Sequence, residues 1–172
     1  MKKIIIIGSG GAGKSTLSRK LSDITGIEIV HMDKLFWQAG WVSITREELA
    51  DKVKEIVLTD SWIIDGNYSG TFEIRMEAVD TIIYLDFPTI VCLWGIVKRF
   101  IMYSGKERPD VTEGCKEKID WEFFNWVLTY RRRNRKKLLT MIDKYSENRQ
   151  IFIFTSRSQV SSFVNKLQKE PS

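Results

Sequence analysis

Cysteine and histidine are scarce in this chain: 172 residues hold two cysteines, Cys92 and Cys115, and one histidine, His31. The cysteines lack the paired short spacing of a zinc site and read as two reduced thiols of a cytosolic protein, not as a disulfide framework. A lone histidine inside an apolar, strand-like stretch reads as a packed, hydrogen-bonded residue and not as a catalyst. Long apolar runs are missing too. "IIII" at 4–7 stops well short of the about 7–15 residues of a signal-peptide core. "TIVCLWGIVKRFIMY" is broken by Lys98 and Arg99 before reaching the ~18 apolar residues of a membrane helix. There is no internal repeat and no low-complexity linker. The expectation is a soluble, cytoplasmic protein with no membrane partner, monomeric or homodimeric. A chain this size typically buries roughly 70% of its unfolded surface, which suits one domain spanning 1–172.

What the chain has in surplus is positive charge. Lys and Arg total 27 against 22 Asp and Glu, a formal charge of +5, and the pI is about 9.2. That balance favours anionic partners in general, nucleotides or nucleic acid among them, without choosing between them.

Five short apolar runs alternate with helical patterns: "KKIIIIG", "IEIVHM" (27–32), "SWIIDG" (61–66), "DTIIYLD" (80–86) and "QIFIFT" (150–155). Most are continuous instead of alternating, as expected of central strands covered on both faces. Helical segments are expected at about 14–25, 45–59, 70–79, 88–103, 117–147 and 157–169, with Thr45 and Glu48 forming a capping box. Strand–helix alternation with right-handed crossovers makes a doubly wound α/β fold. Two stretches fit less well. "KLFWQAGW" (34–41) follows a strand end, where open α/β sheets bind ligands. "SGKERPDVTEGCKEK" (104–118) is polar and reads as a flap over about 104–120.

"GSGGAGKS" sets Gly8, Gly13, Lys14 and Ser15 in the spacing G-x-x-x-x-G-K-[ST], between a strand and a helix. Glycines without Cβ atoms let backbone N–H groups turn inward around a phosphate, and the helix that follows offers its unpaired amides to the same anion. Lys14 supplies a mobile charge for a transferring phosphoryl group, and Ser15 an oxygen for Mg²⁺. The bland alternative is a glycine-rich turn with no ligand; the strand-loop-helix context argues against it. No guanine-specifying Asn-Lys-x-Asp segment follows, since "NKLQ" at 165–168 lacks the aspartate. What remains is a small phosphotransferase.

Three aspartates end strands: Asp33, Asp65 and Asp86. Carboxylates there face the ligand crevice; one is expected to serve Mg²⁺ and another to accept the proton of an attacking hydroxyl. Asp86, with Pro88 and a helix beyond it, reads instead as an N-cap; Asp33 and Asp65 read as functional. Phe36, Trp37 and Trp41 read equally as an outlying piece of core or as rings that stack on a flat substrate. Arg108, in the flap, is the candidate for a closing charge over transferred phosphate. Arg131, Arg132, Arg133 and Arg135 flank the apolar face of a long helix, and at least one is expected to reach phosphate.

With these residues in place the chain resembles the adenylate-kinase-like P-loop kinases, which include nucleoside monophosphate, shikimate and gluconate kinases. It is more closely similar to the bacterial family described as DNA topology modulation or adenylate-kinase-related proteins, through "GSGGAGKSTL", "DKLFWQAGW", "IIDGNY", "DTIIYLDFP", "GKERPD" and "EGC…DWEFFNWV…YR". The resemblance implies a five-stranded parallel sheet of order 2-3-1-4-5, a lid, an acceptor-side region at about 33–60, and ATP with Mg²⁺ as phosphoryl donor. It implies a phosphate cradle of Gly8, Gly10, Gly11, Ala12, Gly13, Lys14, Ser15 and Thr16, with Ser15 and Asp65 toward the metal. Arg99 falls at a phosphate-binding position, Arg108 in the lid, and Asp33 at an acceptor-contacting position; Lys14, Asp33, Arg99, Arg108 and Arg131 are the catalytic candidates. The adenylate kinases follow Asp-Gly with Phe-Pro-Arg, where this chain has Asn67-Tyr68 and no arginine until Arg75. Gly95 stands where they carry an arginine against adenine. Two functions are therefore carried forward: a kinase acting on a small molecule such as a nucleotide or nucleoside, and an ATP-binding regulator that holds nucleic acid on the basic run 131–137.

Overall fold

The structure is a computed structural model that describes residues 1–105, 109–115 and 121–169; Arg108, residues 117–120 of the expected long helix, and part of the expected flap lie outside them. Elements in chain order are β1 (Lys3–Gly8), α1 (Lys14–Thr25), β2 (Ile29–His31), α2 (Met32–Phe36), β3 (Trp37–Gln38), β4 (Val42–Ser43), α3 (Arg46–Leu58), β5 (Trp62–Asp65), α4 (Phe72–Ala78), β6 (Thr81–Leu85), α5 (Thr89–Tyr103), α6 (Trp121–Lys144), β7 (Gln150–Phe154) and α7 (Arg157–Lys169). The five long strands form one sheet in the order β2-β5-β1-β6-β7, parallel at every described pairing. This is the 2-3-1-4-5 arrangement the resemblance implied.

The four isoleucines show why the strands carry no polar alternation. Ile4 and Ile6 belong to the core under α1, α5 and α7, which includes Leu17, Leu21, Cys92 and Val164. Ile5 and Ile7 belong to the opposite core under α3, α4 and α6, with Val53, Met76, Leu138 and Ile142. All four are fully buried, each stabilising the fold by about 1.5–3 kcal/mol relative to exposure. A strand covered on both faces has no wet side on which to place a polar residue.

The capping box at α3 is present: Glu48 N–H donates to Thr45 Oγ1, and Thr45 N–H donates to Glu48 Oε2 at 2.8 Å. Two elements were not expected. α2 is a single turn, and β3–β4 is a two-residue antiparallel ladder whose turn holds Gly40 at φ 76° and Trp41 at φ 64°. Among the described residues no helix is long and apolar enough to cross a membrane.

Candidate active site

Register places the chemistry at one end of the sheet. Ile6 lies beside Asp65, His31 beside Asp65, and Gly8 beside Leu85, so β1, β2, β5 and β6 all end where the glycine loop turns. The α1 N-terminus has Gly13 as its N-cap, no side-chain cap and no acidic residue in its first turn. A Cβ on Gly13 would meet only open space. Helix amides without a side-chain cap are placed to receive an anion, and the glycine-rich loop before them fits a phosphate.

The other side of the loop is closed. A Cβ on Gly11 would overlap the Cys92 carbonyl oxygen, and one on Gly95 would overlap the carbonyl oxygen of Gly11; a Cβ on Gly10 would collide with Phe123 and Val127. Helices α5 and α6 thus press directly on the loop, and Gly95 permits the approach. Glycine at position 95 is therefore a packing requirement of this chain. Gly95→Ala is expected to push the loop out of register, costing about 1–3 kcal/mol of stability by overpacking and weakening nucleotide binding. Thermal unfolding together with an ATP titration checks both effects; an unchanged affinity would show that the contact does not shape the loop.

Lys14 folds back over the loop, its Nζ donating to the carbonyl oxygens of Gly8 and Ser9 at 3.1 Å each. Burial pushes its pKa below the usual value, against the opposing pull of Asp65 and Asp33, while Arg99 pushes the same way as burial. Arg99 lies 5.2 Å from the centre of the Phe123 ring.

Each strand-end aspartate has its own partners. Asp65 is buried, accepts from Ser18 Oγ at 2.8 Å, and lies 3.0 Å from His31 Nδ1 through both carboxylate oxygens. His31 is thus hydrogen-bonded, as expected, although its partner is itself a candidate site residue. Asp33 Oδ1 accepts from the Tyr68 hydroxyl at 2.7 Å. Asp86 corrects the N-cap expectation. The N-cap of α5 is Pro88, with no side-chain cap, and the Asp86 carboxylate instead takes Arg131 Nε at 2.9 Å and Arg135 Nε at 2.7 Å. A carboxylate only 1% exposed needs such partners, and α6 supplies both. Arg131 and Arg135 are thereby both engaged at the end of β6.

Sequence reasoning missed the loop after Asp65. Asn67 clasps Gly8 from both sides: its Nδ2 donates to Gly8 O at 2.8 Å, and its Oδ1 accepts from Gly8 N–H at 3.2 Å. Behind it lies Arg75, fully buried, with Nε donating to Thr71 O, Nη1 to Gly66 O, and Nη2 to Asn67 O and Tyr68 O. Burial pushes Arg75 down to about 9, so the guanidinium is still charged at neutral pH. The available signal was the stretch Asp65-Gly66-Asn67-Tyr68 directly after a strand.

The acceptor-side rings divide. Phe36 joins the core beside Tyr68, 5.1 Å between ring centres. Trp37 and Trp41 meet edge to face at 5.5 Å on the β3–β4 hairpin. Residues 109–115 cross from this hairpin to the phosphate loop. Thr112 Oγ1 donates to Trp37 O, Cys115 Sγ to Gln38 O at 3.1 Å, and Gly40 N–H to Gly114 O at 3.2 Å. At the other end, Ser15 Oγ donates to Asp110 Oδ2 at 2.9 Å. Both cysteines are free thiols.

Among solved structures the chain is similar to shikimate kinase from Acinetobacter baumannii in complex with shikimate. Identity is 16%, coverage 97% of this chain and 90% of that one, and the TM-score 0.56. The fold is that of a P-loop kinase. A deoxyadenosine kinase from M. mycoides also matches, at 17% identity over 95% of this chain and 97% of that chain, with a TM-score of 0.49. No protein-family model and no curated protein matches the chain. In this P-loop fold the glycine loop, the strand-end carboxylates and the 109–115 strap all meet at one end of the sheet.

Proposed function

We propose that this protein is an ATP-dependent phosphotransferase that moves the γ-phosphoryl group to a small-molecule acceptor lying between the ends of β2 and β5 and the β3–β4 hairpin. The observation that carries this reading is Lys14 folded back on the Gly8 and Ser9 carbonyls at the uncapped start of α1, with Asp65 ending β5, Asp33 just beyond β2 and Arg99 on α5. Such a site places two cations and two carboxylates where charge redistributes during transfer. In this reading the amides of Gly13 to Thr16 hold the phosphates. Lys14 leaves its two loop carbonyls to follow the moving group. Asp33, held by Tyr68, accepts the proton of the acceptor hydroxyl, and Arg99 offsets the charge on the leaving side. Hard oxygen donors at Ser15 and nearby carboxylates fit Mg²⁺, which when bound neutralises the phosphates. Asp65, with His31 and Ser18 fixing both of its oxygens, orients the floor of the site. Trp37 and Trp41 favour an acceptor with a flat ring, such as a nucleoside or nucleotide.

The test is ADP release from ATP and Mg²⁺ against a panel of nucleosides, nucleotides and polyols. Acceptor-dependent release supports the reading, and none with any member of the panel counts against it. The nucleic-acid reading draws on the basic run 131–137, and Arg131 and Arg135 of that run are engaged with Asp86. The resemblance to topology modulation proteins names no acceptor. DNA binding with a steep salt slope that flattens when Arg132 and Arg133 are neutralised is what that reading requires.

A further inference from the structure

We propose that Asp110 completes the divalent-metal site of the phosphate loop, so that this site is assembled by the 109–115 strap and not by a strand end. The inference rests on the ATP-dependent reading above. Its first support is Ser15, the loop hydroxyl placed to face a metal, whose Oγ donates to Asp110 Oδ2 at 2.9 Å across 95 residues of chain. A carboxylate accepting that proton leaves the hydroxyl lone pairs free to face a cation.

The second support is what the strand-end carboxylates do instead. Asp65 shares the Ser18 hydroxyl proton with Lys14 O, and Ser18 is three residues and so roughly 4.5 Å further along α1 than Ser15. Its other contact is the His31 ring. Asp86 is enclosed by Arg131 and Arg135, and Asp33 is held by Tyr68. None of the three reaches Ser15, and Asp110 does.

The third is electrostatic. A half-buried carboxylate at the loop mouth repels a triphosphate unless a divalent cation lies between them, so the same residue that opposes bare ATP favours the magnesium complex. The strap is not a loose arm: Val111 and Cys115 are buried, and Thr112, Gly114 and Cys115 bond to the hairpin that carries Trp37. The metal site and the acceptor side are therefore joined through seven residues.

Calorimetric titration of ATP with Mg²⁺ and with EDTA, on wild type and Asp110→Asn, tests this. Wild type is expected to bind more tightly with Mg²⁺. The variant should lose about tenfold or more of that gain while binding metal-free ATP at least as well as wild type. An equal Mg²⁺ gain in both proteins overturns the inference alone. So does a variant that binds ATP more tightly by the same factor with and without metal, which would make Asp110 a plug. A folded wild type that binds no nucleotide under either condition overturns the kinase reading, and this inference with it. Should the variant not fold, amide hydrogen exchange on wild type decides. Mg·ADP is expected to slow exchange at 110–115 relative to ADP with EDTA, and an unchanged pattern overturns the proposal.

Discussion

Lys14→Ala is expected to reduce phosphoryl transfer by about 10³-fold or more, the scale on which loss of one preorganised charge at a transferring group is felt. The ammonium group now rests on two loop carbonyls at 3.1 Å, and these are the bonds it exchanges when a phosphate arrives. Stability is expected to move little, or upward. Burial is the largest influence on this lysine and disfavours its charge, so removing it relieves a desolvation cost. That separation makes the measurement decisive: steady-state turnover falls while the thermal midpoint holds. Lys14→Arg should not restore activity, since a planar guanidinium does not fit a space made for a point charge. Turnover in Lys14→Ala equal to wild type would mean that the Lys14 charge takes no part in transfer.

The parts of this fold legible in the sequence are those whose cause is local. Ile4 to Ile7 and Trp62 to Ile64 are strands because their side chains go to opposite buried faces. Gly13-Lys14-Ser15 is recognisable because a strand precedes it and a helix follows. The hairpin at 37–43 was not legible: two-residue strands carry no period, and its turn depends on positive φ at Gly40 and Trp41. Asp86 was misread because capping is a local rule, while its arginines come from 45 and 49 residues further on. Ser15 and Asp110 lie 95 positions apart, and no spacing in the chain connects them. The need for glycine at 95 lies in Gly11 O, which a Cβ there would overlap and which is 84 positions away in the chain. In each case the hidden information was a contact between segments distant in the chain.

Arg75→Met is expected to lower stability by about 2–4 kcal/mol and to weaken nucleotide binding as well. Four hydrogen bonds from a charged donor would suggest a larger loss, at about 1.5–3 kcal/mol each. Two effects shrink it. Methionine removes the cost of burying a guanidinium that has no carboxylate partner among the described residues, and Tyr68 O keeps the donors Thr71 N–H and Thr71 Oγ1. What is not recovered is Gly66 O and Asn67 O, which face the vacated donors. The backbone there has Gly66 at φ 129° and Tyr68 at φ 25°; glycine takes its value freely, but the tyrosine conformation persists only where its surroundings impose it. Without the guanidinium the loop relaxes, Asn67 loses its grip on Gly8, and Tyr68 no longer fixes Asp33. For a chain of this size the thermal midpoint should drop by about 5–15 °C. ATP affinity and the pH profile of turnover should shift with it, since both substrate sides hang on the 66–68 loop. A midpoint and an affinity both equal to wild type would mean that the loop holds its shape without Arg75. Loss of stability alone would confine the residue to the core. The joint loss is the expected result, because the same three carbonyls that Arg75 gathers belong to the loop that sets Asn67 on the phosphate loop and Tyr68 on Asp33.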